Sequence, residues 1–366
     1  MVVRLYKYLD DSQSLSPVAI VDDYISLVFT RSYSGIGAWQ MVLPLASKNA
    51  PLVLDADILH LRHGTTGLVT KISKSVSDGE ETLTLNGIEL KGLVRGRIVI
   101  PSTGLTHVSY ENNDAAQAVI RLIISQITAA GNERTIPGAV LYSPSGQELT
   151  YQGRFSSLEE DIEAICTEYD IGYYATLNSL REIKWEAYKG VDRQSSQNEN
   201  SKMIFSYAND TLESSTLEIS KNTPNFALVA GKGEGVDRTI ATIGEATGFR
   251  RIETYVDARD VENDSLLYQR GLEKLSEFGD STLFSARVTD NVVKKYMVDF
   301  DLGDKCTIID SIADTTFKIG ARITEITECY EDNALTLDIS FGYDKTDLKS
   351  IISRLKTDTK SLKNKE

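Results

Sequence analysis

Gly231-Lys232-Gly233-Glu234-Gly235 follows a predicted strand, where a glycine-rich loop could cradle a phosphate. The spacing does not fit. A dinucleotide loop has its third glycine one residue later and opens a helix whose N-terminus meets the phosphate, and here the following residues alternate like a strand. His60 and His63 could begin a metal site, but on a predicted strand and its turn a spacing of three sends them to opposite faces, and His107 is remote. Glu159, Glu160 and Asp161 offer a general acid and base. Directly after Ser156 and Ser157 they read better as a capped helix start, whose positive end favours acids. Asp257, Arg259 and Asp260 crowd with Arg250 and Arg251 into a charged cluster that reads as salt-bridged structure or a contact surface. There is no GxSxG elbow, HExxH helix or Walker loop, so no catalytic residue, cofactor or metal ligand is assigned.

The elements that would position such residues are mostly strands, and one group of them occurs twice. Residues 302–309, 315–319, 323–327 and 334–339 follow the order of parts in residues 54–61, 65–73 and 81–85. In each copy an acidic turn leads to a strand, a Thr-Thr pair, a Thr-centred strand and a Leu-Thr-Leu strand. The period-2 alternation predicts two half-buried antiparallel meanders, and their likeness predicts internal duplication of a small β-barrel.

Composition bounds the rest. With 366 residues and 41% hydrophobic side chains the chain suits several soluble globular domains. No apolar run approaches the roughly 18 residues of a membrane helix, and Met1-Val2-Val3-Arg4-Leu5 lacks the apolar core of a signal peptide, so synthesis and initial residence in a cytoplasm are expected. Cys166, Cys306 and Cys329 are an odd set without CxxC spacing and read as small buried apolar groups. A net charge of -14 argues against a nucleic-acid-binding surface, because affinity for phosphates comes from Lys and Arg.

The fold class expected is α+β, mainly β, with two antiparallel barrels in one chain. The first barrel takes residues 1–107, where Asn86-Gly87 signals a turn. An α+β domain takes residues 108–201, with helices starting at Asn113 or Asp114 and at Ser156 or Ser157. The second barrel takes residues 202–235 and 282–343, split by a small α+β insertion over 236–281. Residues 344–366 form a C-terminal helix or tail. Leu348, Ile352, Leu355, Thr359 and Leu362 fall at alternating spacings of four and three, so that Leu348, Ile352, Leu355 and Leu362 form a candidate trimer seam, the other reading being a solvated basic tail with a frayed helix.

Phe205-Ser206-Tyr207 with Leu212, then Asn225-Phe226-Ala227-Leu228-Val229-Ala230-Gly231, then the run from Gly248-Phe249-Arg250 to Ala258-Arg259-Asp260, resemble siphophage tail proteins of the tail-hub family. Asp23-Tyr24, Gly96-Arg97-Ile98 and Lys189-Gly190-Val191-Asp192-Arg193 support the likeness, which runs to about residue 343. The resemblance implies a baseplate-hub-like protein in a short form without a lysin extension. It implies a homotrimer in which each chain gives two tube-type barrels, so that three chains make a ring of six. Such a ring adapts a six-fold tail tube to a three-fold tip in the virion and lets DNA pass without specific binding. The implied partners are a distal tail protein or the tail tube above, and a receptor-binding, fibre or tape-measure component at the tip. The competing readings are a tail-associated cell-wall hydrolase and a carbohydrate-binding tail-tip module. A carboxylate pair could serve the first without histidine, and exposed clusters among the 17 tyrosines could serve the second.

Overall fold

The computed structural model describes residues 2–77, 79–219, 224–259, 261, 264–277, 282–288, 295–312, 315–331 and 334–343. It divides into a large unit, Met1–Ser215 with the described residues from Ser285 onward, and a small unit, Thr216–Phe284.

The large unit begins with β1 (Val3–Leu9), β2 (Ser14–Val21), β3 (Ser26–Ser32), β4 (Ala38–Pro44), β5 (Ile58–Arg62), β6 (Thr65–Ser77) and β7 (Glu80–Glu89). Alternation fixes which face is buried: Leu27 and Phe29 of β3, Trp39, Met41 and Leu43 of β4, and Leu83 and Leu85 of β7 share one core. Trp39 packs where only glycine leaves room. A Cβ at Gly67 or Gly87 would overlap its ring, and its Nε1 donates to the Ile88 carbonyl at 3.1 Å. Asn86-Gly87 therefore lies inside β7 and is not the turn its composition suggests; the glycine is there for the indole.

Next come β8 (Val108–Asp114), α1 (Ala115–Ile123), β9 (Gly138–Tyr142), β10 (Glu148–Gly153), α2 (Leu158–Glu168), β11 (Gly172–Leu177) and β12 (Ile183–Tyr188). Asp114 caps α1, accepting from the Ala116 and Gln117 amides at 3.0 and 3.3 Å, and Ser157 caps α2 from the Glu160 amide at 3.4 Å. Strands β11, β12 and β9 form one small sheet, β10 and β8 another. Their core is continuous with Tyr6, Ile58, Leu90, Val94 and Val99, so residues 1–107 and 108–201 share buried side chains across the boundary read from composition.

The small unit contains β15 (Phe226–Ala230), β16 (Ile240–Ile243), β17 (Glu253–Asp257) and α3 (Asp264–Glu277), and is preceded along the chain by β13 (Ile204–Ser206) and β14 (Leu212–Ile219). Its sheet order is β16-β15-β17, with β15 and β17 parallel. Gly271 lets α3 approach closely, since a Cβ there would overlap Ile243 and Val229. The strand Phe226–Ala230 thus belongs to this unit and not to the second barrel, and the insertion starts near Thr216 and not at Val236. An all-apolar strand carries no mark of which sheet it joins.

The chain re-enters the large unit through β18 (Thr282–Val288) and ends, within the described residues, in β19 (Lys305–Ile312), β20 (Thr315–Glu331) and β21 (Ala334–Tyr343). These join a 13-stranded sheet in the order β14-β18-β21-β20-β3-β4-β7-β6-β5-β1-β2, with β19 on β20 and β13 on β19. Among the described residues this sheet is not closed into a barrel.

The two antiparallel meanders, β5-β6-β7 and β19-β20-β21, are the two sequence copies. Both long strands contain a bulge at a threonine. In β6, Val69 pairs Gly87 and Lys71 pairs Asn86, leaving Thr70 extra; in β20, Ile323 pairs Phe341 and Glu325 pairs Ser340, leaving Thr324 extra. Thr70 Oγ1 donates to the Asn86 carbonyl at 3.2 Å and Thr324 Oγ1 to the Ser340 carbonyl at 3.1 Å. Val69-Thr70-Lys71-Ile72-Ser73 is therefore equivalent to Ile323-Thr324-Glu325-Ile326-Thr327. Two details differ from the sequence alignment. Residues 315–319 and 323–327 form one bulged strand, and Leu83-Thr84-Leu85 matches Leu337-Asp338-Ile339, two positions after the Leu-Thr-Leu run. The candidate seam residues Leu348, Ile352, Leu355 and Leu362 lie outside the described residues.

Candidate functional site

The second copy joins the N-terminal strands where β20 pairs with β3, from Glu325 opposite Ser32 to Glu331 opposite Ser26. Alternation sends Leu27, Phe29 and Arg31 of β3, and Ile326, Glu328 and Tyr330 of β20, to the inner face, so two charges of opposite sign enter the sheet interior. Arg31 Nη1 donates to Tyr296 Oη and Asp301 Oδ1, both at 2.7 Å. Glu328, 0% exposed, accepts from Tyr296 at 2.6 Å and Tyr330 at 2.7 Å. Arg62, at the end of β5, completes the set with an ion pair to Glu328 Oε2 at 2.6 Å and a hydrogen bond to Tyr330 Oη.

Strands β3 and β5 thus supply the two guanidinium groups, β20 supplies Glu328 and Tyr330, and the segment ahead of β19 supplies Tyr296 and Asp301. Burial opposes the Arg31 charge, but Tyr296, Asp301 and Glu328 hold its pKa well above the ordinary guanidinium value. Burial also raises the Tyr296 and Tyr330 hydroxyls, which stay protonated and can donate. Both Glu328 oxygens are engaged, so this carboxylate is a fixed acceptor and not a free base.

Two further buried clusters fix the ends of the same strands. Glu89 accepts from the Gly37 and Ser32 amides at 2.7 and 3.1 Å and pairs with Lys91 at 3.4 Å. Lys91 donates to the Ser32 carbonyl, and to the Tyr173 carbonyl at 3.1 Å; burial lowers its pKa while Glu89 opposes the shift. Beside them, Tyr33 Oη accepts from the Gly190 amide at 3.1 Å and donates to the Asp170 carbonyl at 3.2 Å. Burial pushes its pKa up to about 12. Arg322 of β20 binds the Gly303 carbonyl and the Asp170 carboxylate, tying the second copy to the α+β region.

The residues picked out by type and spacing are engaged elsewhere. His60 Nδ1 lies 2.8 Å from Thr66 Oγ1, and His63 Nε2 lies 3.3 Å from Tyr174 Oη. Burial, with Arg4 and His63 adding to it, pushes the His60 pKa down to about 4. Among the described residues no cluster of three or more His, Cys, Asp or Glu could hold a metal ion. Arg95 grips Glu159 with two nitrogens, and Asp161 accepts from Tyr151 Oη at 2.5 Å and from Ser156. The Gly231 loop is closed from within by Arg238, which donates to the Gly231 and Ala230 carbonyls at 2.9 Å and pairs with Asp257. Arg251 lies over the Phe226 ring and pairs with Glu253 at 2.6 Å; Asp260 lies outside the described residues. Arg31, Arg62 and Glu328 escaped the sequence reading, although a charge on the apolar phase of Leu27-Val28-Phe29-Thr30-Arg31 or Ile326-Thr327-Glu328-Cys329-Tyr330 marks a buried partner.

One edge contrast completes the geometry. The N-terminal half of β20 pairs β19 and its C-terminal half pairs β3 on the same edge. The N-terminal end of β6 likewise pairs β5, but Lys71–Ser77 pairs β7 alone among the described strands.

The family model described as "Siphovirus ReqiPepy6 Gp37-like protein" matches residues 3–343. No curated protein matches the chain. Among solved structures, the 43 kDa tail protein of prophage MuSo2 from Shewanella oneidensis is similar with a TM-score of 0.59 at 12% identity, over 93% of this chain and 98% of that one. A tail protein from Neisseria meningitidis MC58 is similar with a TM-score of 0.56 at 12% identity, over 94% and 97% of the two chains. The prophage tail protein gp18 from Listeria monocytogenes EGD-e gives a TM-score of 0.52 at 10% identity, over 97% and 98%. At these identities the likeness is one of fold. Among the described residues no helix is long and apolar enough to cross a membrane.

Proposed function

The chain belongs to the Siphovirus ReqiPepy6 Gp37-like family of phage tail structural proteins, and from that premise we propose that it is a non-enzymatic tail-tip hub, three copies of which close a ring of six equivalent meanders. The observation that carries this reading is the repeated meander with its matched threonine bulges. A chain holding two copies of one unit offers near six-fold symmetry to a tube of six-fold rings and true three-fold symmetry to whatever lies below. Each copy completes a tube-type barrel only in the ring. The partners are a distal tail protein or the tube on one side and a receptor-binding, fibre or tape-measure component on the other. By their coiled-coil spacing, Leu348, Ile352, Leu355 and Leu362 contribute to the association of the three chains. The chain's net charge of -14 suits a lumen that DNA crosses without being held, since like charge keeps the duplex hydrated and free.

Light scattering on the purified chain tests the reading. The expected mass is three times that of the chain, with truncation after residue 345 weakening association. A monomer at every concentration sinks it. Gel shifts at low salt should show no DNA binding; a salt-sensitive shift would contradict the passive channel.

A further inference from the structure

A cavity of about 310 Å³ lies between the β1–β2 hairpin and the turn that joins β11 to β12. Its local cause is in β2. Leu5 pairs Ala19 and Tyr6 pairs Pro17, so Val18 is an extra residue at a bulge, and Pro17 has no amide to offer the ladder. The bulge bends β2 and leaves an aliphatic wall of Pro17, Val18, Ala19 and Ile20, with Ile20 61% exposed. Arg4, opposite Ile20, lines the cavity from β1, and Arg181 lines it from the turn.

The turn holds Arg181 in a fixed place. Asn178 Oδ1 accepts from the Leu180 and Glu182 amides at 2.9 Å, and the Arg181 amide donates to the Asn178 carbonyl at 3.0 Å. Arg181 thereby keeps a φ of 64°, a left-handed conformation that long side chains seldom adopt. Such strain persists only where the surroundings impose it, and it recurs at ligand clamps. The adjacent acid, Glu182, is taken by Asn178 Nδ2 at 2.8 Å. Among the described residues no carboxylate pairs with either guanidinium, whereas Lys7 on the same strand as Arg4 pairs with Asp55 at 3.0 Å. In a chain of net charge -14, two unmatched arginines at one cavity are a site for a negative group from elsewhere.

The lining narrows the class of ligand. Paired guanidinium groups suit a carboxylate, and the aliphatic wall suits a short aliphatic body attached to it. A sugar calls for an exposed ring to stack on, and the one ring of the lining, Tyr6, is buried. In a tail structural protein the source of such a group is the end of another polypeptide. We propose that this cavity captures the carboxyl-terminal end of a partner protein, the carboxylate held by Arg4 and Arg181 and the last aliphatic side chain seated against Val18 and Ile20. The inference stands apart from the ring.

Short peptides attached by their N-termini, with randomised last residues and free carboxyl ends, test the capture on the purified full chain. The library should be enriched in aliphatic last residues, and an amidated twin of the library should give no enrichment. Arg4→Gln and Arg181→Gln should each weaken the best peptide about tenfold or more. Thermal unfolding should be unchanged, because both side chains are exposed. Ile20→Asp, also at an exposed position, should abolish binding by placing like charge on the wall. His60, opposite Arg4 in the strand register, gives a local reading: its imidazole NMR signal should move with the free-acid peptide and stay in place with the amide. Octanoate displacing the peptide with equal affinity would assign the cavity to free aliphatic acids and overturn the partner end. Equal enrichment from both libraries, enrichment from neither, or undiminished binding by the doubly substituted chain overturns the site. None of these outcomes alters the mass of the assembly, so the cavity and the ring fail separately.

Discussion

In the second copy the inner position opposite Leu337 holds Glu328, fully buried among two phenols and a guanidinium. In the first copy the equivalent position, opposite Leu83, holds Lys74, whose side chain is 50% exposed and pairs with Glu81 at 3.0 Å. The two strands share their bulge, their alternation and their hairpin partner. What differs is the neighbour on the other edge: β3 lies beside β20, whereas no described strand lies beside Lys71–Val76 of β6. A carboxylate withdrawn from water needs partners around it: Tyr296 and Tyr330 donate to Glu328 and Arg62 of β5 pairs with it, while Arg31 of β3 adds positive charge nearby. A lysine with room to reach water needs none. In a duplicated fold the neighbouring element, more than the strand itself, decides which charge a position can hold.

The largest effect should come from breaking this contrast at its buried end. Glu328→Leu removes the acceptor for Tyr296, Tyr330 and Arg62 and leaves buried positive charge uncompensated, a change that typically costs about 3–5 kcal/mol. Adding Arg62→Leu should recover part of the loss. Lys74→Gln removes an exposed pair and should cost about 0–1 kcal/mol. Urea unfolding of the three variants measures this directly. Equal losses at residues 328 and 74 would mean that the two positions are not distinguished by burial.

A smaller effect should reveal where the copies are still alike. Thr70→Val and Thr324→Val each delete one side-chain-to-carbonyl hydrogen bond at the bulge and keep the shape, so each should cost about 1 kcal/mol. Similar values would mean the bulge does the same work in both halves. A much larger loss at Thr324 would mean that the β3 contact has made it dependent on its surroundings.

Much of this architecture could be read from alternation and capping residues. Asp114 and Ser157 cap helices because their oxygens meet free amides. The repeat was visible in the order of parts, but its register was not. Leu-Thr-Leu recurs by strand composition, whereas the bulges that align the copies are set by pairing across the sheet. Gly87 illustrates the same limit, since its reason is the Trp39 ring, 48 residues earlier in the chain. The buried polar network was hidden for a related cause. Arg31, Arg62, Asp301 and Glu328 are brought together by β3 meeting β20, and no local spacing encodes that meeting.

The smallest expected effect concerns a group that only the first copy has. β5 carries His60, and β19 carries no histidine. Burial lowers the His60 pKa from 6.5 to about 4, so between those values the unfolded chain binds a proton that the folded chain refuses. Stability from this source is present in full above pH 6.5, declines as the pH falls towards 4, and changes no further below it. The imidazole is only partly buried, which limits the effect. His60→Gln, retaining a partner for Thr66, should flatten this part of the pH dependence while leaving neutral-pH stability nearly unchanged. Thermal unfolding of both proteins at pH 7 and pH 5 is sufficient: parallel losses would move the cause away from β5, and a loss confined to the histidine-bearing chain would assign it to the first copy.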